Sequence, residues 1–264
     1  MGKETGIAWC DSTWGHWHGC TKIEGNYACK NCYAEAVNKR GGGSNWGFGA
    51  PRRLLSEHTR NDIHRWNRAA PKFMQEHGRR QRVFCSSMSD AFDNEVDKSW
   101  RDAMYADLEA ASGLEIQILT KRISNVPKMV PESWKSGWPS HIGLMITVVT
   151  QAEADRDCPR LLRMKREFGI PWVGVSYEPA QEYIDFLPYL DGSSYEAALD
   201  WVIFGGKSGR NWNDGQFDAN WARPIAEQCA WAGSAFFFKQ VAAFRPTDDM
   251  IPADLMIRQW PAGH

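Results

Sequence analysis

Arg82-Val-Phe-Cys-Ser-Ser87, the helix-like stretch Lys98–Ala111 and Leu114-Glu-Ile-Gln-Ile-Leu119 follow one another closely enough to read as one strand–helix–strand unit. Two short apolar runs flanking an amphipathic segment are the signature of parallel strands joined by a crossover. Outward from this unit the pattern repeats. Strands are predicted at Ile142–Val149, Trp172–Tyr177, Trp201–Phe204 and Ala235–Phe238, and helices at Glu153–Phe168 and Asn220–Ala232. Asn125–Pro131 can supply only a short turn of helix, and one more strand is expected around Ile7–Trp9. The sum is an α/β fold of about six to seven mainly parallel strands, enough for an open sheet or a partial (β/α) barrel. No Pro/Ser/Gly-rich linker divides the chain, so residues 1–264 read as one domain with 41–82 as a basic insertion.

In parallel α/β folds, ligands sit beyond the carboxyl ends of the strands. Polar residues gather at six such ends here. Ser87, Ser89 and Asp90 follow one strand and Thr120, Lys121 and Arg122 the next; Thr147 and Thr150, then Ser176 and Glu178, mark two more. Gly205, Gly206, Lys207 and Ser208, and finally Lys239 and Gln240, complete the set. One polar end would only mark where a strand stops, whereas six point to a shared cavity.

Hydrophobic residues make up 43% of the 264, and the formal net charge is −1. That composition suits a folded globular protein, and the molecule as a whole has no electrostatic pull on nucleic acid or an anionic membrane. No run approaches the roughly 18 apolar residues that span a bilayer, and no leader pattern is visible, so a soluble, cytoplasmic protein without a membrane partner is expected. Seven cysteines are an odd number, and four fall between Cys10 and Cys32. Such a distribution argues for a reducing compartment and a metal or redox role over a disulfide framework. Several of the 14 tryptophans (Trp9, Trp14, Trp17, Trp46) lie beside these cysteines, where they would wall off a metal, stack on a base or simply fill the core.

The cysteine segment reads Cys20-Thr-Lys-Ile-Glu-Gly-Asn-Tyr-Ala-Cys29-Lys-Asn-Cys32-Tyr33. Three thiolates on an iron–sulfur cubane leave one iron open for chemistry. A small zinc site closed by Cys10, His16 or His18 is the structural alternative, and unmetallated thiols are a third. A thioredoxin-type redox pair would leave Cys20 unexplained. Spacing alone leaves these readings open.

Gly6-Ile-Ala-Trp9, Gly19-Cys-Thr-Lys22, Cys29-Lys-Asn-Cys-Tyr-Ala-Glu35, Met88-Ser-Asp-Ala-Phe-Asp93, Leu119-Thr-Lys-Arg122, Glu178-Pro179, Asp200-Trp-Val-Ile-Phe-Gly-Gly-Lys-Ser-Gly209 and Phe236-Phe-Phe-Lys-Gln240 occur in this order. Together they resemble the motifs of a phage-associated three-cysteine family that is similar to divergent radical S-adenosylmethionine (SAM) enzymes. The resemblance runs over nearly the whole chain. It implies a partial barrel of the radical SAM type and a [4Fe–4S] cluster on Cys20, Cys29 and Cys32 whose open iron chelates SAM. It implies further that an external electron donor triggers formation of a 5′-deoxyadenosyl radical, which takes hydrogen from the substrate. Ser87, Ser89, Asp90, Thr120, Thr147, Ser176, Gly205 and Gly206 are then the candidates for binding SAM, and Lys121, Glu178 and Lys239 those for meeting the substrate. The eight residues between Cys20 and Cys29 exceed the three usual in radical SAM enzymes, and Lys207 stands where the family commonly has an acid.

Between Lys39 and Arg82 there are eleven Lys/Arg against three acids, interleaved with Trp46, Phe48 and Trp66. Such a patch is what a backbone-tracking nucleic-acid surface needs, and Arg52, Arg53, Arg60, Arg65, Arg79 and Arg80 are its candidate contacts. A solvated helix face is the alternative. A base within a duplex would have to be flipped out to react. The family resemblance points to phage DNA, in the host cytoplasm, carrying a hypermodified thymine. The expected reaction is isomerisation of a glycyl-thymine-like nucleotide from an N-linked to a C-linked adduct. RNA or a free nucleotide is a second substrate class, and a zinc-stabilised nucleic-acid-binding module without catalysis is the alternative to an enzyme. The oligomeric state is not legible in the sequence.

Overall fold

The computed structural model describes residues 5–30 and 32–263. The strands are β1 (Ser12–Trp14), β2 (Trp17–His18), β3 (Arg53–Leu54), β4 (Gln81–Cys85), β5 (Leu114–Thr120), β6 (Ile142–Thr147), β7 (Val173–Tyr177), β8 (Trp201–Gly205) and β9 (Ala235–Gln240). Seven of them form one sheet in the order β1-β4-β5-β6-β7-β8-β9, and β2 and β3 form a short antiparallel ribbon. The α/β class and the strand number expected from the sequence are therefore observed. By compactness the chain falls into two units, one up to Gly143 and one from Leu144.

In the first unit β1 pairs with β4 and β4 with β5, both parallel. The expected strand at Ile7–Trp9 is instead a turn, closed by the Cys10 amide donating to the Ile7 carbonyl (3.2 Å), and the first strand lies at Ser12–Trp14. Its polar sequence hides it: the Ser12 hydroxyl is fully buried and accepts from the Gln81 side chain at 2.8 Å, a partner chosen by tertiary structure. The 41–82 segment carries β3, the helix Glu57–Arg60, the long helix Asp62–His77 and the start of β4. Ile63, Trp66 and Ala70 bury one face of that long helix, and Gly78 ends it in the left-handed conformation at φ 69°. The helix Lys98–Ala110 is capped by Asp97, which accepts from the Ser99 amide at 2.7 Å.

In the second unit β6 pairs with β7, β7 with β8 and β8 with β9, all parallel. These strands are buried along nearly their whole length, as runs such as Trp201-Val-Ile-Phe204 require in a sheet covered on both faces. The helix Gln151–Phe168 starts with a reciprocal cap: the Thr150 hydroxyl accepts from the Glu153 amide (3.3 Å) and the Glu153 carboxylate from the Val149 amide (2.8 Å). No helix among the described residues is long and apolar enough to cross a membrane.

Candidate functional site

The cysteine segment leaves β1 through the ribbon strand β2 and is held by backbone pairing on both sides. Gly19 bridges Ser89, and its amide donates to the Met88 carbonyl at 3.0 Å. Cys20 bridges Trp46, and its carbonyl accepts from the Gly47 amide at 3.0 Å. Cys29 is anchored separately, its amide donating to the Asn26 side chain at 2.8 Å. Next to Cys32, the Tyr33 hydroxyl donates to the Ser87 carbonyl at 2.8 Å. Asn31, between the second and third cysteines, lies outside the described residues.

Beside this segment Asp90 knits the ends of β4 and β5 together. One carboxylate oxygen accepts from the Phe92 amide (2.9 Å) and the Thr120 hydroxyl (2.8 Å), the other from the Lys121 amide (3.2 Å). Asp90 and Thr120 thus order the loop ends that carry Lys121 and Arg122. The chain turns into this loop through Ser86, at φ 66°, and a non-glycine residue held in the left-handed region marks a geometry that the surroundings impose. Ser87 is buried, and the Ser89 hydroxyl is enclosed without a hydrogen-bond partner among the described residues.

Burial, then the carboxylates of Asp90 and Asp93, push the Cys20 thiol well above its ordinary value, while Arg122 and Lys121 pull the other way. Burial likewise raises Cys29, against the nearby charge of Lys121. Lys121 is therefore within electrostatic reach of two of the three thiols. The Arg122 guanidinium donates to the Thr21 carbonyl and lies against the Cys20 sulfur.

For an iron–sulfur cluster the donor chemistry fits, since all three thiols are free and sit on one segment, with cations close to Cys20 and Cys29. Among the described residues, however, no three Cys, His, Asp or Glu side chains converge closely enough to hold an ion. Of the candidates for a fourth zinc ligand, each histidine spends one ring nitrogen, His16 Nε2 on Asp107 (2.7 Å) and His18 Nδ1 on Arg53 (2.8 Å), and Cys10 turns toward the Ile7 carbonyl. Burial, and then the Arg53 charge, lower the His18 pKa to about 4. The unfolded chain binds that proton near pH 6.5, so His18 favours folding above pH 6.5 and loses its contribution as the pH falls toward 4. Arg53→Ala should raise the His18 pKa, a shift that an NMR titration of the imidazole will register.

In the second unit, Thr147 and Ser176 are register partners on β6 and β7 and both are buried. The Ser176 hydroxyl donates to one oxygen of Glu178 (3.1 Å), and the other oxygen lies 2.8 Å from Lys239 Nζ. Gly205 leaves the space this carboxylate occupies, because a Cβ there would stand 2.8 Å from Glu178 Oε1. Gly205→Ala is expected to displace the carboxylate and to cost about 1–3 kcal/mol in chemical denaturation. The Gly206 amide donates to the Gln240 carbonyl (2.8 Å), and the Gln240 side chain returns to the Gly206 carbonyl (2.9 Å). Lys207 is paired with Asp214 at 2.6 Å.

The six arginines proposed for nucleic acid separate into different roles. Arg52 is turned inward, its side chain 3% exposed and paired with Asp93 at 2.8 Å. Arg79 makes a two-pronged pair with Asp11 (2.7 and 2.9 Å), and Arg60 donates to the Leu55 carbonyl at 3.2 Å. Arg53 and Arg65 are exposed, Arg65 pairing with Asp62, and Arg80 is half-exposed, 3.9 Å from Glu115. Of the nearby rings, Trp66 is buried, Trp46 is half-buried and Phe48 is 92% exposed. Trp9, Trp14 and Trp17 are core residues. The composition of the 39–82 segment shows its basic excess but not which arginines face inward, since that depends on carboxylates brought from elsewhere in the chain.

A comparison with curated proteins gives no match. Among solved structures, one described as "Spore photoproduct lyase complexed with dinucleoside spore photoproduct" is similar at 11% identity and a TM-score of 0.47, over 87% of this chain and 75% of that chain. The family described as "Protein of unknown function (DUF5131)" matches residues 4–259, nearly the whole length of the sequence, and the chain belongs to that family.

Proposed function

We propose that the chain is a radical SAM enzyme acting on a nucleobase, with Cys20, Cys29 and Cys32 holding a [4Fe–4S] cluster. The observation that carries this reading is the position of three free thiols on the segment that follows β1, beside strand ends tied together by Asp90. When bound, cluster and SAM supply one-electron chemistry able to take hydrogen from an unactivated carbon. The motif resemblance over nearly the whole sequence supports the same assignment.

The chain's own residues supply position and charge. Lys121 and Arg122 offset the negative charge that three thiolates would gather. The enclosed Ser89 hydroxyl, unpartnered among the described residues, is proposed to meet a polar group of SAM, and Ser87, Asp90 and Thr120 hold its loop in shape. Thr147, Ser176, Gly205 and Gly206 are the second unit's candidates for SAM contact. Glu178 and Lys239, with Lys121, are the residues proposed to meet the substrate. Each of the first two already carries the countercharge of the other, so their ion pair can open to admit a polar group of either sign.

The proposed substrate is DNA carrying a modified thymine, approached through the exposed Arg53 and Arg65, with Arg80 and the exposed Phe48 ring as further contacts. Motif resemblance alone supports the finer reading: N-linked to C-linked isomerisation of a glycyl-thymine-like nucleotide in phage DNA, with an external electron donor. Anaerobic purification should give a brown protein with about four irons per chain. Formation of 5′-deoxyadenosine is then compared with duplex DNA, RNA and mononucleotides. Turnover confined to RNA or mononucleotides would overturn the DNA reading, and a colourless chain carrying stoichiometric zinc would overturn the enzyme.

A further inference from the structure

Arg52 has the sequence context of a nucleic-acid contact and the surroundings of a clamp. Its Nε donates to Asp93 Oδ2 at 2.8 Å. One terminal nitrogen donates to the Ala50 carbonyl at 2.6 Å and, more weakly, to the carbonyls of Asn45 and Gly47 at 3.4 Å each. The other donates to the Thr21 hydroxyl and to Glu95 at 3.2 Å. Asp93 is fully buried, and the oxygen that takes Arg52 Nε also accepts the Thr21 amide at 3.0 Å.

We propose that Arg52, backed by Asp93, is a positioning residue for Cys20, fixing the segment that bears the first thiol against the 45–51 loop. One planar guanidinium reaches the residue after the thiol on one side, and on the other side the loop whose Gly47 amide holds the Cys20 carbonyl. Cys29 and Cys32 are held by different means, through Asn26 and Tyr33, so the clamp acts on one of the three thiols. Lysine cannot replace it, because a single ammonium offers three donors from one point where this site uses a fork reaching in three directions. The significance of the clamp rests on the reading of Cys20 as a cluster ligand.

The test is the rate of alkylation of each cysteine at one fixed pH, read by mass spectrometry on the full, metal-free chain. Arg52→Gln should accelerate labelling of Cys20 about tenfold while Cys29, Cys32 and the fully buried Cys85 stay within about twofold of wild type, and Arg52→Lys should not restore the slow rate. Cys85 is the internal control, since a pair that only stabilises the fold would release Cys85 together with Cys20. That joint acceleration, or no acceleration at all, overturns the proposal. If Arg52→Gln does not fold, Asp93→Asn is read in the same way. Iron content of the wild-type chain tests the cluster assignment separately, because the labelling needs no metal.

Discussion

Replacing any one of Cys20, Cys29 and Cys32 by alanine should empty the chain of iron and reduce 5′-deoxyadenosine formation by about a thousandfold or more, because the cofactor carries the hard chemistry. Cys85→Ala and Cys229→Ala should keep both. Those two thiols are buried in the core and pushed up to about 12 by that burial, so they stay protonated small hydrophobes. Loss of iron on Cys85→Ala but not on Cys20→Ala would overturn the assignment. Burial, with the Asp90 and Asp93 charges, also holds the Cys20 thiol in its protonated form, so metal uptake must release a proton. Iron binding is therefore expected to tighten as the pH rises, a trend that titration with a competing chelator at several pH values will show.

Gly19→Ala should cost about 3 kcal/mol, from backbone strain and overpacking together. Gly19 sits at φ +112°, a region other residues rarely adopt, and a Cβ there would stand 2.4 Å from the Asn45 carbonyl and 3.0 Å from Arg52 Cδ. Neither obstacle yields to a rotamer change: one is backbone and the other belongs to the buried Arg52 side chain. Gly6→Ala is the control, since nothing lies within 4 Å of a Cβ there, and it should fall within about 0.5 kcal/mol of wild type. Urea unfolding of the two variants measures the difference. Equal stabilities would mean that the Gly19 backbone does not pass as close to Asn45 as described.

The alternation of strands and helices from residue 82 onward was legible because parallel strands are buried on both faces and read as continuous apolar runs. β5, β8 and β9 lie within one or two residues of where Leu114–Leu119, Trp201–Phe204 and Ala235–Phe238 place them. β1 was not legible. Ser12-Thr-Trp14 has no apolar alternation, and its Ser12 hydroxyl and Trp14 indole meet Gln81 and the Arg60 carbonyl, both from distant parts of the chain.

The candidate site divides along the same line. The sequence by itself determined the α/β class, the three cysteines on one short segment and the polar residues at the strand ends, because each follows from local pattern and spacing. Tertiary structure alone decided what those residues do with one another. Asp90 is spent on Phe92, Thr120 and Lys121, Glu178 is paired with Lys239 in room left by Gly205, and Arg52 is withdrawn from the surface by Asp93. Whether a charged side chain faces solvent or a partner depends on which countercharge the fold brings within hydrogen-bond range. Arg52 and Asp93 are separated by 41 positions, a pairing that no local pattern encodes.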